Sequence, residues 1–505
     1  MDAFTSAVNS QTIWLNGFDY TGSIMSIPIC YWYENKDKDT GRDFMPAGIL
    51  ERAFYMAMKE FPILAGTLKS NASSRLYIEI DKNNLNMPVY TDSFCELDYS
   101  TLCKSGYSIR KLPIDLSREY GVPVPSGLVG GSIKPAHIRI IRFKDNSGVL
   151  VYASIAHYIT DGYGYTQFMN RWSEISRWLQ QDSQSPSSAL LPVRRYVHDR
   201  SIHDSICSSN TDALDSFVLR VKSGGNLITR WLAWVSPETR ARVFKAISDA
   251  ISHKCSFFHV SSETMEALHA RVQAHAPEGV RYSINDVIAS YLAVVVAQAK
   301  EKANADRWWN KWTPLAVRKT LENSGLSKPP PPPAGLAILI PVNMRTRISH
   351  PDAKNYMGVM VSGKGIPFTH EHLQQEPTDK VLSEMALKIH EALPSMNERF
   401  AGQIGNLMTS EPDIFTRQVL RMATGSQKLI FSNQSRFAHY SVDFGAGIPS
   451  MVRHAPHAFN DVVYIMPANP KTGGYEIEFN FAPDVEANIT SNNDWMKLVD
   501  TYDSY

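Results

Sequence analysis

The chain lacks a long apolar run, has little cysteine and carries almost no net charge. No stretch of its 505 residues approaches the roughly 20 apolar residues that a membrane-spanning helix requires, so no membrane partner is expected. Met1 to Ser10 has neither a basic region nor an apolar core, so no secretory signal is expected and a cytoplasmic protein is. The five cysteines, Cys30, Cys95, Cys103, Cys207 and Cys255, are scattered, odd in number and without C-x-x-C spacing. That argues against a disulfide framework and against a cysteine-based metal site, and no metal is expected. Asn71-Ala72-Ser73 and Asn488-Ile489-Thr490 match the glycosylation pattern, which carries no weight without secretion. A net charge of +1 gives no field for nucleic acid or an anionic membrane surface. No internal repeat is found.

What is present is the composition of a soluble globular enzyme, 43% hydrophobic and 20% charged. The length allows two large domains or a few small ones. Residues 11 to 33 are apolar and aromatic, broken by Gly17 and Gly22, and read as short strands. A helix starts near Pro46, with Ile49, Leu50, Phe54, Met58 and Phe61 on one face. Residues 76 to 80 and 88 to 90 read as further short strands. His137 to Phe143 and Val149 to Ala156 form a hairpin across Lys144-Asp145-Asn146-Ser147-Gly148. A helix at 163 to 180 follows, with Phe168, Trp172, Ile175, Trp178 and Leu179 at helical spacing.

Residues 181 to 212 are rich in Ser, Asp, Gln and Pro and read as a crossover; 213 to 252 read as helical and interfacial. The organisation expected is therefore a domain over 1–180, a crossover and interfacial segment over 181–252, and a second domain over 253–505. In the latter, a strand at Ser256 to Val260 precedes a helix near Glu263 to Ala274. Ile284 to Lys302 is the strongest helix pattern in the chain, opened by a capping box of Ser283 and Asp286. Five prolines at 329 to 333 read as a stiff loop before the strand Leu336 to Val342, in preference to a ligand for a proline-binding module. Later come a strand at Lys428 to Asn433 and a hairpin of Asp461 to Met466 with Tyr475 to Phe481.

The chemistry is expected at the end of the strand Val149 to Ile155, in Ile155-Ala156-His157-Tyr158-Ile159-Thr160-Asp161-Gly162. A rigid strand fixes a side chain that the following turn exposes, and histidine is the side chain best suited to take a proton near neutral pH. H-x-x-x-D-G arises by chance in roughly one chain in twenty of this length. A half-buried histidine bonded to backbone, with Asp161 capping the next helix, explains the motif equally well on its own.

The rest of the chain supplies more. With H-x-x-x-D-G at His157 to Gly162 and Asp443-Phe444-Gly445-Ala446-Gly447 for D-F-G-W-G, it resembles the BAHD superfamily of acyl-CoA-dependent acyltransferases, in particular the fungal branch that includes trichothecene O-acetyltransferases. Phe61 to Leu68 looks like that family's F-P-x-L-A-G-x-L, and Ser283 to Lys302 like its central helix. Arg345 and Arg347 match its R-x-R, and Tyr356 to Gly358 its Y-x-G. The match spans nearly the full chain. Ala446 replaces the family tryptophan, and Gln434 stands where many plant members carry another. D-F-G also occurs in protein kinases, but no H-R-D loop, V-A-I-K strand or glycine-rich phosphate loop accompanies it.

The resemblance implies a chloramphenicol-acetyltransferase-like α/β fold, two similar domains of mixed sheet and helices joined by a long crossover loop, with a solvent channel between them. It implies a monomer with no permanently bound cofactor. Acyl-CoA, most simply acetyl-CoA, would be the co-substrate, and the acceptor a hydroxyl or amine of a small secondary metabolite. His157 would be the general base. Asp161 would orient the site by pairing with an arginine of the R-x-R, Arg345 in preference to Arg347. Ser432 and Gln434 would donate hydrogen bonds near the oxyanion or acceptor, or simply end a strand. Arg281 and Ser283 would meet CoA phosphates, or form a plain capping box. Asp443 and Gly445 would hold the fold. A condensation-type enzyme with a carrier-bound donor is the alternative catalyst, although Ala156 stands where such domains usually carry a second histidine; a non-catalytic binding protein is the other alternative.

Overall fold

The strand that delivers His157 is buried at all nine of its positions, Gly148–Ala156, in the computed structural model. The structure describes residues 2–19, 26–38, 43–71, 75–112, 134–184, 191–207, 254–312, 336–410, 428–455 and 461–504. Full burial requires cover on both faces, which is why the strand reads as an almost unbroken apolar run.

Numbered along the chain, the described strands form three sheets. A small one has the order β1 (Gln11–Trp14), β4 (Leu76–Ile80), β3 (Thr67–Ser70). A five-stranded one has the order β12 (Met451–His454), β2 (Ser26–Glu34), β7 (Gly148–Ala156), β6 (Ala136–Phe143), β5 (Val89–Cys95). The seven-stranded one runs β10 (Val361–Phe368), β9 (Leu336–Asn343), β11 (Lys428–Asn433), β13 (Val462–Met466), β14 (Tyr475–Phe481), β8 (Lys254–Val260), β15 (Thr501–Ser504). Both larger sheets are mixed: β5 and β6 are parallel, as are β11 with β9 and β13, while their other neighbours are antiparallel.

Two helices, α1 (Ala47–Glu60) and α2 (Gly162–Gln184), lie on one face of the five-stranded sheet. Phe54 and Trp172 meet there edge-to-face, 5.4 Å between ring centres, and the Trp172 indole N–H donates to Leu50 O at 2.9 Å. The other face turns toward the seven-stranded sheet. Trp32, Leu150, Tyr152 and Phe143 share one apolar cluster with Cys255 and Phe257 of β8. Four further helices cover the far face of the seven-stranded sheet: α3 (Ser262–Gln273), α4 (Ile284–Trp312), α5 (Asp379–Ala392) and α6 (Pro483–Thr490). The result is the α/β fold expected, two mixed sheets with helices.

Several elements were absent from the sequence reading. The C-terminal half lends β12 to the sheet of the N-terminal half, pairing His454 with Ile29 and Val452 with Tyr31. Four residues give too short a pattern for periodicity to detect. β15 and α5 likewise carried no signal that the reading used. The segment 213 to 252, expected to be helical and interfacial, and the proline run at 329 to 333, expected to be a stiff loop, lie outside the described residues.

Candidate active site

After β7 the chain turns sharply. Ile159 N donates to Ala156 O at 3.0 Å, and α2 starts at Gly162. His157 is half-buried in this turn. Its Nδ1 is buried and meets no partner on another described residue. Burial drives the imidazole pKa below its usual value, only partly opposed by the Asp161 charge. The ring is thus neutral at physiological pH, the state in which it can accept a proton.

Asp161 is fully enclosed and fully bonded. Oδ2 accepts from Arg345 Nη1 at 2.7 Å and from Met360 N at 2.9 Å. Oδ1 accepts from Arg345 Nη2 at 3.1 Å and from Gly164 N at 3.1 Å. The carboxylate therefore caps α2 and forms a bidentate ion pair at the same time. Burial alone would raise its pKa, but the arginine and the two amides outweigh that and hold it below the usual carboxylate range. No hydrogen bond joins Asp161 to His157. Arg345 is just as enclosed: Nε donates to Tyr356 O at 3.0 Å and Nη2 to Gly358 O at 2.6 Å. In an extended segment, alternation would put both arginines of the R-x-R on one face; here they point apart. Met344–Thr346 is a 3₁₀ turn, so Arg347 swings away and donates to Leu393 O at 2.6 Å and Met396 O at 2.8 Å.

Other contacts brace the turn. Thr160 Oγ1 donates to Met357 O at 2.7 Å. Phe61, Ile63 and Leu64, from the F-P-x-L segment, line a small void with Ile155, Ile159 and Phe168. Arg200, from the crossover, donates through Nη2 to Ile159 O at 2.8 Å and pairs with Asp19 at 3.1 Å. Neither Arg200 nor Asp19 was legible in the sequence. Asp19 is a lone charge inside an apolar stretch and Arg200 is one charge among several in a polar one, so no periodicity marks either.

The D-F-G-A-G turn closes over α2. Asp443 Oδ1 accepts from Gly445 N at 2.8 Å and Gly447 N at 2.9 Å, and both glycines have positive φ, 95° and 81°. Phe444 is buried against Trp172, 4.7 Å between ring centres, and its carbonyl accepts from Gln180 Nε2 at 2.6 Å. Arg177 donates to Asp443 O.

Ser432 is half-buried on β11, in register with Tyr464 of β13. Gln434, just past the end of β11, is buried. Its Nε2 lies 3.5 Å from His454 Nε2, whose Nδ1 faces Glu478 Oε2 at 2.7 Å; the Gln434 Oε1 is buried without a partner among the described residues. The donor of Gln434 is thus directed to His454, and its acceptor is the atom left over. Three residues on, the Phe437 ring sits against Gly162, where a Cβ would come within 2.6 Å of it. Asn433 Nδ2 donates to Asn285 Oδ1 at 2.7 Å, which joins the end of β11 to the start of α4. There Ser283 and Asp286 form the reciprocal capping box: Ser283 N donates to Asp286 at 2.8 Å, and Asp286 N to Ser283 Oγ at 3.2 Å. Arg281 is exposed. Among the described residues no group of three or more His, Cys, Asp or Glu side chains is placed to hold a metal ion, and no helix is long and apolar enough to cross a membrane.

The geometry can be set against known proteins. Residues 289–491 match the sequence model of the Transferase family. No curated protein sequence matches the chain. The structure of F. graminearum TRI101 with coenzyme A and T-2 mycotoxin superposes with a TM-score of 0.66 at 13% identity, covering 97% of this chain and 99% of that one. Vinorine synthase superposes with a TM-score of 0.55 at 14% identity, covering 98% of both chains. The first condensation domain of the CDA synthetase gives 0.50 at 12% identity, covering 96% of this chain and 94% of that one. At such identities the superpositions establish the fold. The family model thus matches the C-terminal part of the chain, and the fold is that of the TRI101 and vinorine synthase structures.

Proposed function

We propose that the protein transfers an acyl group, acetyl in the simplest case, from a CoA thioester to a hydroxyl or amine of a small secondary-metabolite acceptor, acting as a monomer. The observation that carries this is a neutral, half-buried histidine at the end of a rigid strand, with the neighbouring carboxylate tied to an arginine. A thioester is already activated, so the protein has to supply a base, a place for the oxyanion and correct orientation.

His157 takes the proton of the acceptor hydroxyl as its oxygen attacks the thioester carbonyl. The tetrahedral intermediate collapses with loss of the CoA thiolate, which receives that proton from His157. Ester and free CoA result. The donor would reach His157 from one side of the seam between the two halves and the acceptor from the other. Ser432 and Gln434 are the candidates for the oxyanion or acceptor, and Arg281 and Ser283 at the start of α4 those for the CoA phosphates. The TRI101 structures hold coenzyme A together with T-2 mycotoxin or deoxynivalenol, which supports a CoA donor and a small acceptor.

The test is thiol release from acetyl-CoA over a panel of alcohols and amines, with products read by mass spectrometry. An acceptor-dependent acetylated product is expected. A protein that binds CoA yet gives no product with any acceptor would point to the non-catalytic reading; turnover only with a carrier-bound donor would point to the condensation type.

A further inference from the structure

A second buried ion pair bears on the His157 turn. Arg200 and Asp19 lie 3.1 Å apart, with side chains 4% and 0% exposed. The Arg200 Nη2 donates to Ile159 O at 2.8 Å and lies 3.4 Å from Tyr158 O, the carbonyls of the two residues that follow His157. Asp19 also accepts from Asn16 N at 3.1 Å and from Val359 N at 3.4 Å. Val359 and Met360 thus send successive amides to two carboxylates, Asp19 and Asp161. Both guanidinium groups lie over the ring of Tyr356, Arg200 at 5.4 Å and Arg345 at 5.9 Å.

Gly358 is the seat of this arrangement. A Cβ there would collide with Arg200 Nη1 and with the Tyr356 hydroxyl. Its carbonyl accepts from Arg345. The Y-x-G pattern therefore has a physical reason: the tyrosine ring supports two cations, and the glycine lets one of them approach the main chain. A buried ion pair is weak as a stabiliser beside well-packed apolar residues, so the use of two such pairs around one turn calls for another role.

We propose that Arg200, held by Asp19 and seated on Gly358, is a positioning residue that fixes the main chain of Tyr158 and Ile159 and through it the ring of His157. This rests on His157 as the general base. A guanidinium can hold two carbonyls and a carboxylate together in one plane, whereas an ammonium cannot reproduce the fork. Displacement of a catalytic group by about 1 Å typically costs on the order of 10² in rate.

The test uses the full-length protein and an acceptor that wild type acylates. Arg200→Gly and Arg200→Lys are purified and shown to be folded at the assay temperature by circular dichroism and melting. The expected result is a kcat about 10- to 100-fold down, with the KM for acyl-CoA within about twofold, and lysine restoring little. A cavity of about 390 Å³, lined in part by Trp14, Arg75 and Arg200, adjoins the site. Guanidinium ion at low concentration should therefore restore part of the kcat of Arg200→Gly and none of that of His157→Ala. A folded Arg200→Gly with wild-type kcat, a loss wholly in KM, or a loss of kcat that guanidinium leaves untouched would each overturn the proposal. If Arg200→Gly does not fold, Gly358→Ala keeps the charge and displaces it. A folded Gly358→Ala with wild-type kcat would also overturn it, and a selective loss of kcat would support it. Absence of acylation by wild type would instead count against the proposed function.

Discussion

The Asp161 carboxylate faces Arg345 and not His157, through two hydrogen bonds of 2.7 and 3.1 Å. Removing one partner of such a buried pair typically costs about 3 to 5 kcal/mol. Asp161→Ala should therefore lower melting temperature and activity together. His157→Ala should lower turnover by about 10² to 10⁴ and leave acyl-CoA binding and the melting temperature nearly unchanged. Melting curves and kinetics on the two variants separate the roles. A His157→Ala enzyme retaining half of wild-type turnover would exclude it as the base.

The pH dependence of kcat/KM follows from His157. Burial lowers its pKa, so the neutral base persists below the usual histidine range. The acid limb of the profile should fall below pH 6.5, and activity should rise through it as pH increases. An inflection clearly above 6.5 would require another group or a charged environment for the ring.

Stability should also respond to acid. Burial pushes His198 down to about 4, and His203 and His439 down to about 3. Below pH 6.5 the unfolded chain binds protons at these sites that the folded protein refuses. Their contribution is thus complete above 6.5 and is lost as pH falls toward 4 and 3, on the order of a few kcal/mol each for His203 and His439. Asp19 acts in the opposite sense. Burial raises it to about 6, so the folded state gains its proton first and acidification from 6 toward 4 favours folding at that site. Melting temperatures from pH 7 to 4 should show a net decline, and His439→Phe should flatten it; a flat wild-type profile would contradict the burial of neutral imidazoles.

At the D-F-G-A-G turn, Gly445→Ala would place a side chain at φ 95° against Gln180. A loss of about 1 to 3 kcal/mol is expected, measured by chemical denaturation, with kcat of the folded fraction preserved. A folded variant with a hundredfold lower kcat would move this turn into the catalytic machinery.

For the start of α4, Arg281→Ala should raise the KM for acyl-CoA and leave that for the acceptor unchanged. Asp286 already places a carboxylate on the Ser283 amide, so an unchanged donor KM would reduce Ser283 and Asp286 to a helix cap.

The sequence by itself determined the elements and the turn. Nine buried residues made β7 legible, and the spacing of Val287, Ile288, Tyr291, Leu292, Val295 and Val296 made α4 legible, because burial imposes a period that a single segment displays. H-x-x-x-D-G and D-F-G-x-G were legible because local turns constrain adjacent residues. Only the tertiary structure decided what those residues face. It seated Arg200 and Asp19 beside the His157 turn from distant segments, turned Arg347 away through a 3₁₀ turn, and brought β12 back to the opposite half.

 Ile159 and Arg200 stand 41 residues apart, and Asp19 and Val359 stand 340 apart. Contacts at such separations leave no period in the chain, because the partner that satisfies a buried charge is chosen by packing and not by sequence neighbourhood.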